Sequence, residues 1–391
     1  MRGHIIKRSE DSWSVVLSLG NDPSTGKRVQ QWVTVKGTKR DAEKRLSELL
    51  HQADNGMLIR PEKTTLAEYL QRWLTDYAHP NLSPRTYEGY EYIVRQHLTP
   101  SLGSIGLTQL RPEHLQRYYS DKTTTGRCNG GGGLTARSVR HHHMVLHKAL
   151  QMAVKLGVVA RNVADSVDPP RAENHEMQVW SESEARRFLE AAKVTPYYAL
   201  FVLALHTGAR RSELLALRWS DVDFIYSQIH INRTIHHLRD GSYVFRQPKT
   251  EKGRRSIALP PSAVLVLQDH RDKLEHAAAL LGVSVKDDSL VFCHTDGKPL
   301  RPNTITRAWP LLAAQIGIKV IRFHDARHSH ASLMLKQGVH PKIVQERLGH
   351  ANISVTLDTY SHVAPGLQEA AAKNFDKLGL IAEDKATERI R

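Results

Sequence analysis

The sequence predicts an α+β multidomain protein. A small β-sheet-plus-helix unit spans residues 1–56, an all-helical unit spans 63–168, and a mixed, mainly helical unit with a small antiparallel sheet spans 176–378. Residues 379–391 form a polar tail. Three observations carry this reading. The 391 residues exceed what one hydrophobic core organises, so two or three domains are expected. Apolar residues alternate near the N-terminus but recur at helical spacing beyond residue 63. Finally, Asp168-Pro169-Pro170-Arg171-Ala172-Glu173-Asn174-His175 has the composition of a linker.

Taken in order, Trp13, Val15, Leu17 and Leu19 alternate with polar residues, as a half-buried strand requires. A turn-rich run over 21–26 leads to a second strand through Trp32, Val33 and Val35. Thr38 is placed to cap a helix carrying Ala42, Leu46, Leu49 and Leu50 on one face, ending near Gly56. In the second unit, Leu66, Tyr69, Leu70, Trp73, Leu74 and Tyr77 fall on one helical face. Ser83-Pro84 and Arg111-Pro112 mark helix starts. A long helix runs from Thr135 to about Leu156, stopped by Gly157, and a flexible glycine-rich loop containing Gly130 to Gly133 precedes it. In the third unit, Ser181 to Glu184 is a capping box and the apolar run from Tyr197 to Leu205 is a buried helix. Strands follow around Ile229, Ile231, Val244, Phe245 and Ile257, with a turn at Thr250 to Gly253. Helices then cover 262–281, 303–316, 324–337, 341–348 and 354–362.

Composition narrows the partner. The formal net charge is +15, and each of the three units is itself net positive. A basic excess spread along the chain points to a polyanion, with nucleic acid ahead of an anionic membrane surface. No apolar run approaches the roughly 20 residues needed to span a bilayer, and the N-terminus has no signal-peptide core. Two cysteines, Cys128 and Cys293, are too few for a disulfide scaffold, so a cytoplasmic location is expected.

Four segments carry the chemistry: Thr207-Gly208-Ala209-Arg210-Arg211-Ser212-Glu213, Pro248-Lys249-Thr250, His324-Asp325-Ala326-Arg327-His328, and Leu348-Gly349-His350 with Tyr360 ten residues later. Attack on a phosphodiester spreads negative charge over non-bridging oxygens, which the paired donors of Arg210 and Arg327 match. His324 and Arg327 are three apart on a helix and emerge on one face. Lys249, at a strand end beside cationic groups, is suited to protonate a leaving oxygen, with Lys252 in the same turn as the weaker candidate. Tyr360 supplies a phenol nucleophile that needs a proton acceptor, which His324, His350 or water could be. Glu213, three residues after Arg210, can orient it. His143 with His147, and His324 with His328, have i, i+4 zinc-compatible spacing but no matching third ligand. The stretch 137–148 reads instead as a basic helix face lying along DNA.

These segments, in this order, resemble the tyrosine recombinase (phage integrase) family. Leu348-Gly349-His350 followed by Thr356-Leu357-Asp358-Thr359-Tyr360-Ser361-His362 is similar to its C-terminal signature. The resemblance covers nearly the whole chain. It implies an arm-site DNA-binding domain (1–56), a helical core-site DNA-binding domain (63–168) and a catalytic domain (176–378) in a clamp on duplex DNA. It further implies that Arg210, His324 and Arg327 hold the scissile phosphate and that Lys249 protonates the 5′ oxygen. His350 would complete the pocket, and Tyr360 would form a 3′-phosphotyrosine bond. One phosphodiester replaces another, so no ATP, metal or other cofactor is expected, in keeping with the lack of a phosphate-loop motif. The implied assembly is a homotetramer on synapsed DNA that integrates and excises a mobile element with accessory excision or DNA-bending proteins. Three other readings share parts of the pattern: a type IB topoisomerase, a DNA-binding regulator with an idle active site, and a metal-dependent nuclease.

Overall fold

The computed structural model describes residues 2–21, 26, 28–54, 64–173, 177–248, 251–360 and 375. The chain divides into two compact units, Met1–Asn174 and His175–Arg391.

The first unit opens with β1 (Arg2–Ser9), β2 (Ser12–Asn21) and β3 (Arg28–Lys36), an antiparallel sheet with β2 in the centre. The strand pattern from residue 12 anticipates two of these strands. β1 pairs with β2 from Arg2 opposite Ser18 onward, but its basic, polar composition gives it little apolar alternation. α1 (Lys39–Asp54) lies over one face, where Val15, Leu17, Ala42 and Leu49 form a small core. Thr38 and Asp41 cap it reciprocally: Thr38 N–H donates to the Asp41 carboxylate at 2.9 Å, and Asp41 N–H donates back to the threonine hydroxyl. Val16 faces the other way and is nevertheless buried, across the ladder from Trp32.

Helices make up the rest of this unit. α2 (Leu66–Trp73) runs through a π-helical turn into α3 (His79–Asn81), and α4 (Pro84–Ile93) runs likewise into α5 (Thr99–Leu102). α6 (Pro112–Thr125) and the long α7 (Ala136–Lys155) complete it. Their shared core includes the residues whose helical spacing the sequence displays: Leu66, Tyr69, Leu70, Trp73 and Leu74. The histidine run of α7 divides by face. His142 and His143 turn inward, sharing hydrogen bonds with the Tyr118 and Tyr119 hydroxyls at 2.8 and 2.7 Å. His147 meets Asp165 at 2.7 Å. Arg137, Arg140 and His141 stay exposed, so the basic face is narrower than the run suggests.

In the second unit α8 (Glu182–Ala192) and the apolar α9 (Tyr198–Thr207) pack around an aromatic cluster of Trp180, Phe188, Phe201, Trp309 and Phe323. A short α10 (Arg211–Leu214) follows α9 directly. β4 (Val222–Asp223), β5 (Gln228–Ile231) and β8 (Arg255–Ala258) form an antiparallel sheet. β6 (Thr234–His237) and β7 (Tyr243–Arg246) form a separate hairpin. The strands therefore belong to two small sheets, because the chain leaves the first after Ile231 and returns only at Arg255. α11 (Pro261–Leu280), α12 (Pro302–Gln315), α13 (Asp325–Lys336), α14 (Pro341–Leu348) and α15 (Ile353–Tyr360) end the described part. The predicted tail over 379–391 lies outside the described residues. No helix among them is long and apolar enough to cross a membrane.

Candidate active site

The site is assembled at helix ends. α9 stops at Gly208 (φ +61°) and α14 at Gly349 (φ +67°), left-handed positions that glycine occupies without steric cost. Space demands glycine there too. A Cβ on Gly208 would lie 2.6 Å from a Leu348 methyl group, and one on Gly349 would lie 2.9 Å from the Lys252 carbonyl. Both helix ends can therefore approach their neighbours closely.

Arg327, on the first turn of α13 and only 4% exposed, joins these two ends. Its Nη1 donates to the Gly208 carbonyl at 2.8 Å and its Nη2 to the Leu348 carbonyl at 2.7 Å. Helix C-termini carry partial negative charge and unpaired carbonyls, so they suit a buried guanidinium. The consequence is positional. Arg210 lies two residues beyond one accepting carbonyl and His350 two residues beyond the other, so one side chain brings both segments to α13.

Arg210 is held by Glu213. The carboxylate accepts the Arg210 N–H at 2.8 Å and Nη1 at 2.7 Å. It also accepts Arg255 Nη2 at 2.9 Å, while Arg255 Nε donates to the Arg347 carbonyl at 2.7 Å. The Glu213 and Arg255 side chains are 1% and 6% exposed. Burial alone would raise the Glu213 carboxyl, but Arg255 and then Arg210 outweigh it and hold the group below the ordinary value. Replacing Glu213 by Gln should lower unfolding stability by about 3–5 kcal/mol, because Arg255 would remain buried without its carboxylate. Denaturant unfolding measures this, and a variant as stable as wild type would show that Arg255 finds another counter-charge.

His324 precedes α13, and its ring meets that of His328 edge-on at 5.3 Å. Its pKa is lowered by the protein packed around it and then by Arg327 and Arg210, against an opposing pull from Asp325. His350 shares a hydrogen bond with the Thr356 hydroxyl of α15 at 2.8 Å, and Gln345 closes the turn by donating to the His350 carbonyl at 2.9 Å. Burial, then Arg327 and Arg210, push its pKa down to about 4. Arg210, His324, Arg327 and His350 thus share one electrostatic neighbourhood, in which burial and the two arginines disfavour the charged form of both imidazoles. Tyr360 is the last residue of α15, the helix that Thr356 ties to His350. Lys249 lies outside the described residues; Lys252 donates from Nζ to the Ala351 carbonyl at 2.9 Å, one residue past His350. Among the described residues no group of three or more His, Cys, Asp or Glu side chains is arranged as metal ligands.

Sequence reasoning passes over Arg255, Arg347 and His330. Arg347 donates to His330 Nε2, and to the His206 and Ala258 carbonyls, fastening α14 to the ends of α9 and β8. Their local sequence contains no distinguishing signal, since a lone arginine or histidine in a helix or strand is ordinarily solvated.

The depressed histidines make stability pH-dependent. Burial, reinforced by neighbouring cations, pushes His330 down to about 3 and His328 and His350 to about 4. The unfolded chain takes up these protons near pH 6.5 and the folded chain only near 3 to 4. Stability from these groups is therefore complete above pH 6.5 and is lost as pH falls toward 4. The urea midpoint should fall across this window, and a flat profile would contradict the buried neutral histidines.

Comparison with known proteins shows the family. Residues 178–366 match the phage integrase family, and residues 65–122 match the phage integrase N-terminal SAM-like domain. The chain is 31% identical to an integrase of Streptomyces ambofaciens, over 92% of each chain. It is 26% identical to a XerC-like tyrosine recombinase of Caldanaerobacter subterraneus subsp. tengcongensis, over 95% of this chain and 98% of that one. Its fold resembles that of a Tn1549 transposon integrase in complex with a circular intermediate DNA, with a TM-score of 0.66 and 20% identity, covering 81% of this chain and 99% of that one. The chain belongs to the phage integrase family and is a site-specific tyrosine recombinase.

Proposed function

We propose that Tyr360 is the nucleophile of this recombinase and that Arg210, His324 and Arg327 bind the scissile phosphate, with His350 completing the pocket. The observation that carries this is Arg327's bridging of the Gly208 and Leu348 carbonyls, which sets the segments of Arg210 and His350 beside the start of α13, where His324 lies. The guanidiniums favour the charge that develops on the non-bridging oxygens. A neutral imidazole can take or share a proton, so His324 and His350, with water, are the candidate acceptors for the Tyr360 proton. Lys249 protonates the leaving 5′ oxygen, a role resting on its sequence position alone. Glu213 orients Arg210 and takes no part in proton transfer. A 3′-phosphotyrosine bond replaces the phosphodiester, and a 5′-hydroxyl of a partner duplex then attacks that bond and releases Tyr360.

On this reading residues 1–56 bind arm sites, 63–168 bind core sites, 176–378 catalyse, and 379–391 form a tail. Each protomer cuts one strand, so exchange between two duplexes calls for a homotetramer on synapsed DNA. The similarity to integrases named for mobile elements supports integration and excision of such an element. The reading places this in the cytoplasm at the nucleoid, with accessory excision or DNA-bending proteins setting direction. The test is a nicked attachment-site duplex that lets the cut fragment diffuse away. The full chain should accumulate a covalent protein–DNA adduct, in chelator as well as without it. Failure to form any adduct would overturn the assignment. Relaxation of supercoiled plasmid lacking the site would favour a topoisomerase instead.

A further inference from the structure

A second cationic site lies outside the Arg210–Arg327 cluster. A cavity of about 500 Å³ is lined by Arg218, Arg233, Arg246 and Arg254, with the ring of Phe245 in its wall. Arg218 precedes the turn that leads to β4, Arg233 links β5 to β6, Arg246 ends β7, and Arg254 immediately precedes β8. Four elements thus deliver four guanidiniums to one space.

Like charges gathered this way repel unless something balances them. Asp221, a carboxylate beside these arginines, is already engaged: it accepts the Arg218 N–H at 3.0 Å, Asn232 Nδ2 at 3.0 Å and Arg233 Nη1 at 2.7 Å. Arg246 and Arg254 are exposed, and no ion pair engages them among the described residues. Arg218 stacks over Phe245 at 5.6 Å, yet its Nε is buried without a hydrogen-bond partner. A buried guanidinium donor without an acceptor is costly, and here it lines the same cavity. Paired guanidinium donors of this kind match the non-bridging oxygens of a phosphate.

We propose that this cavity binds a backbone phosphate of the DNA substrate, distinct from the phosphate that is cut. The inference rests on the chain acting on duplex DNA. A phosphate held here is gripped by Arg246 at the end of β7 and by Arg254 just before β8, the two residues that flank Lys249 in the sequence. Seating the duplex would then tie the end of β7 to the start of β8, which belong to separate sheets.

The test is coupling between one pair of arginines and one phosphate. In the full-length protein, Arg246→Gln with Arg254→Gln removes two exposed charges without breaking an ion pair among the described residues, so the melting profile should be unchanged. Binding to a core-site duplex is measured while single phosphates, other than the scissile one, are replaced in turn by neutral methylphosphonate. Wild type should lose roughly 10-fold at one such position. The double variant should show no further loss there, and its slope of log affinity against log salt should be shallower by about 0.9. An unaltered slope, or a methylphosphonate penalty that adds in full to that of the variant, would overturn the site. Inorganic phosphate and ATP, titrated without DNA, separate the alternative source. Tight binding of either that the variant loses, with no methylphosphonate coupling, would reassign the cavity to a free anion and overturn the DNA assignment. Adduct formation on the same duplex is scored separately: an adduct without the coupling overturns this site and leaves the recombinase chemistry standing.

Discussion

Tyr360→Phe should bind the attachment-site duplex like wild type and form no covalent adduct with it. The substitution removes one oxygen and leaves the ring, so the proposed nucleophile is lost with little other change. Losing a nucleophile that acts together with its supporting groups costs at least about 10⁴-fold in cleavage. The backbone at Tyr360 closes α15, a helix that Thr356 links to His350 at 2.8 Å, so the helix that carries the residue is tied to the cluster it is proposed to use. Single-turnover cleavage of a nicked duplex, followed by denaturing electrophoresis, reads the result. Persistence of the adduct would reject Tyr360, and peptide mapping of the adduct would then identify the residue that replaces it.

Arg327→Ala should nearly abolish cleavage and also weaken the fold. Two effects are separable. In the proposed role the guanidinium supplies donors to developing negative charge, worth on the order of 10²–10³ in rate. Its two hydrogen bonds to the Gly208 and Leu348 carbonyls also hold α9 and α14 against α13. Leaving both buried carbonyls unpaired costs about 1–3 kcal/mol each. Arg327→Lys distinguishes the effects. An ammonium keeps the charge but lacks the planar fork needed to span two carbonyls and still face a phosphate. The Lys variant should therefore recover stability in part while cleaving far more slowly than wild type. Single-turnover rates and unfolding curves on both variants decide the matter, and an Ala variant that cleaves at near the wild-type rate would remove Arg327 from the proposed phosphate site.

Much of the chain was legible in its sequence because the relevant signals are local. Helical spacing of Leu66, Tyr69, Leu70 and Trp73 survives in the core they form, since a helix buries whatever its period places on one side. The apolar run from Tyr197 is the buried α9, and the capping box at Ser181 and Glu184 starts α8 as written. β1 was illegible because its eight residues are mostly basic or polar, and pairing with β2 rather than side-chain burial defines it.

By itself the sequence determined the family, the spread of positive charge and the order of the candidate residues Arg210, Lys249, His324, Arg327, His350 and Tyr360. Only the tertiary structure decided how several of them are held. Arg255 lies 42 residues from Glu213 and 92 from Arg347, yet it ties the two together. Arg327 likewise reaches 119 residues back to Gly208 and 21 forward to Leu348. A buried charge gains its worth from partners that fill its hydrogen bonds, and those partners come from helix ends and strands remote in the chain. The same limit hid the four-arginine cavity, whose members look in the sequence like ordinary solvated arginines until β5, β7 and β8 bring them to one place.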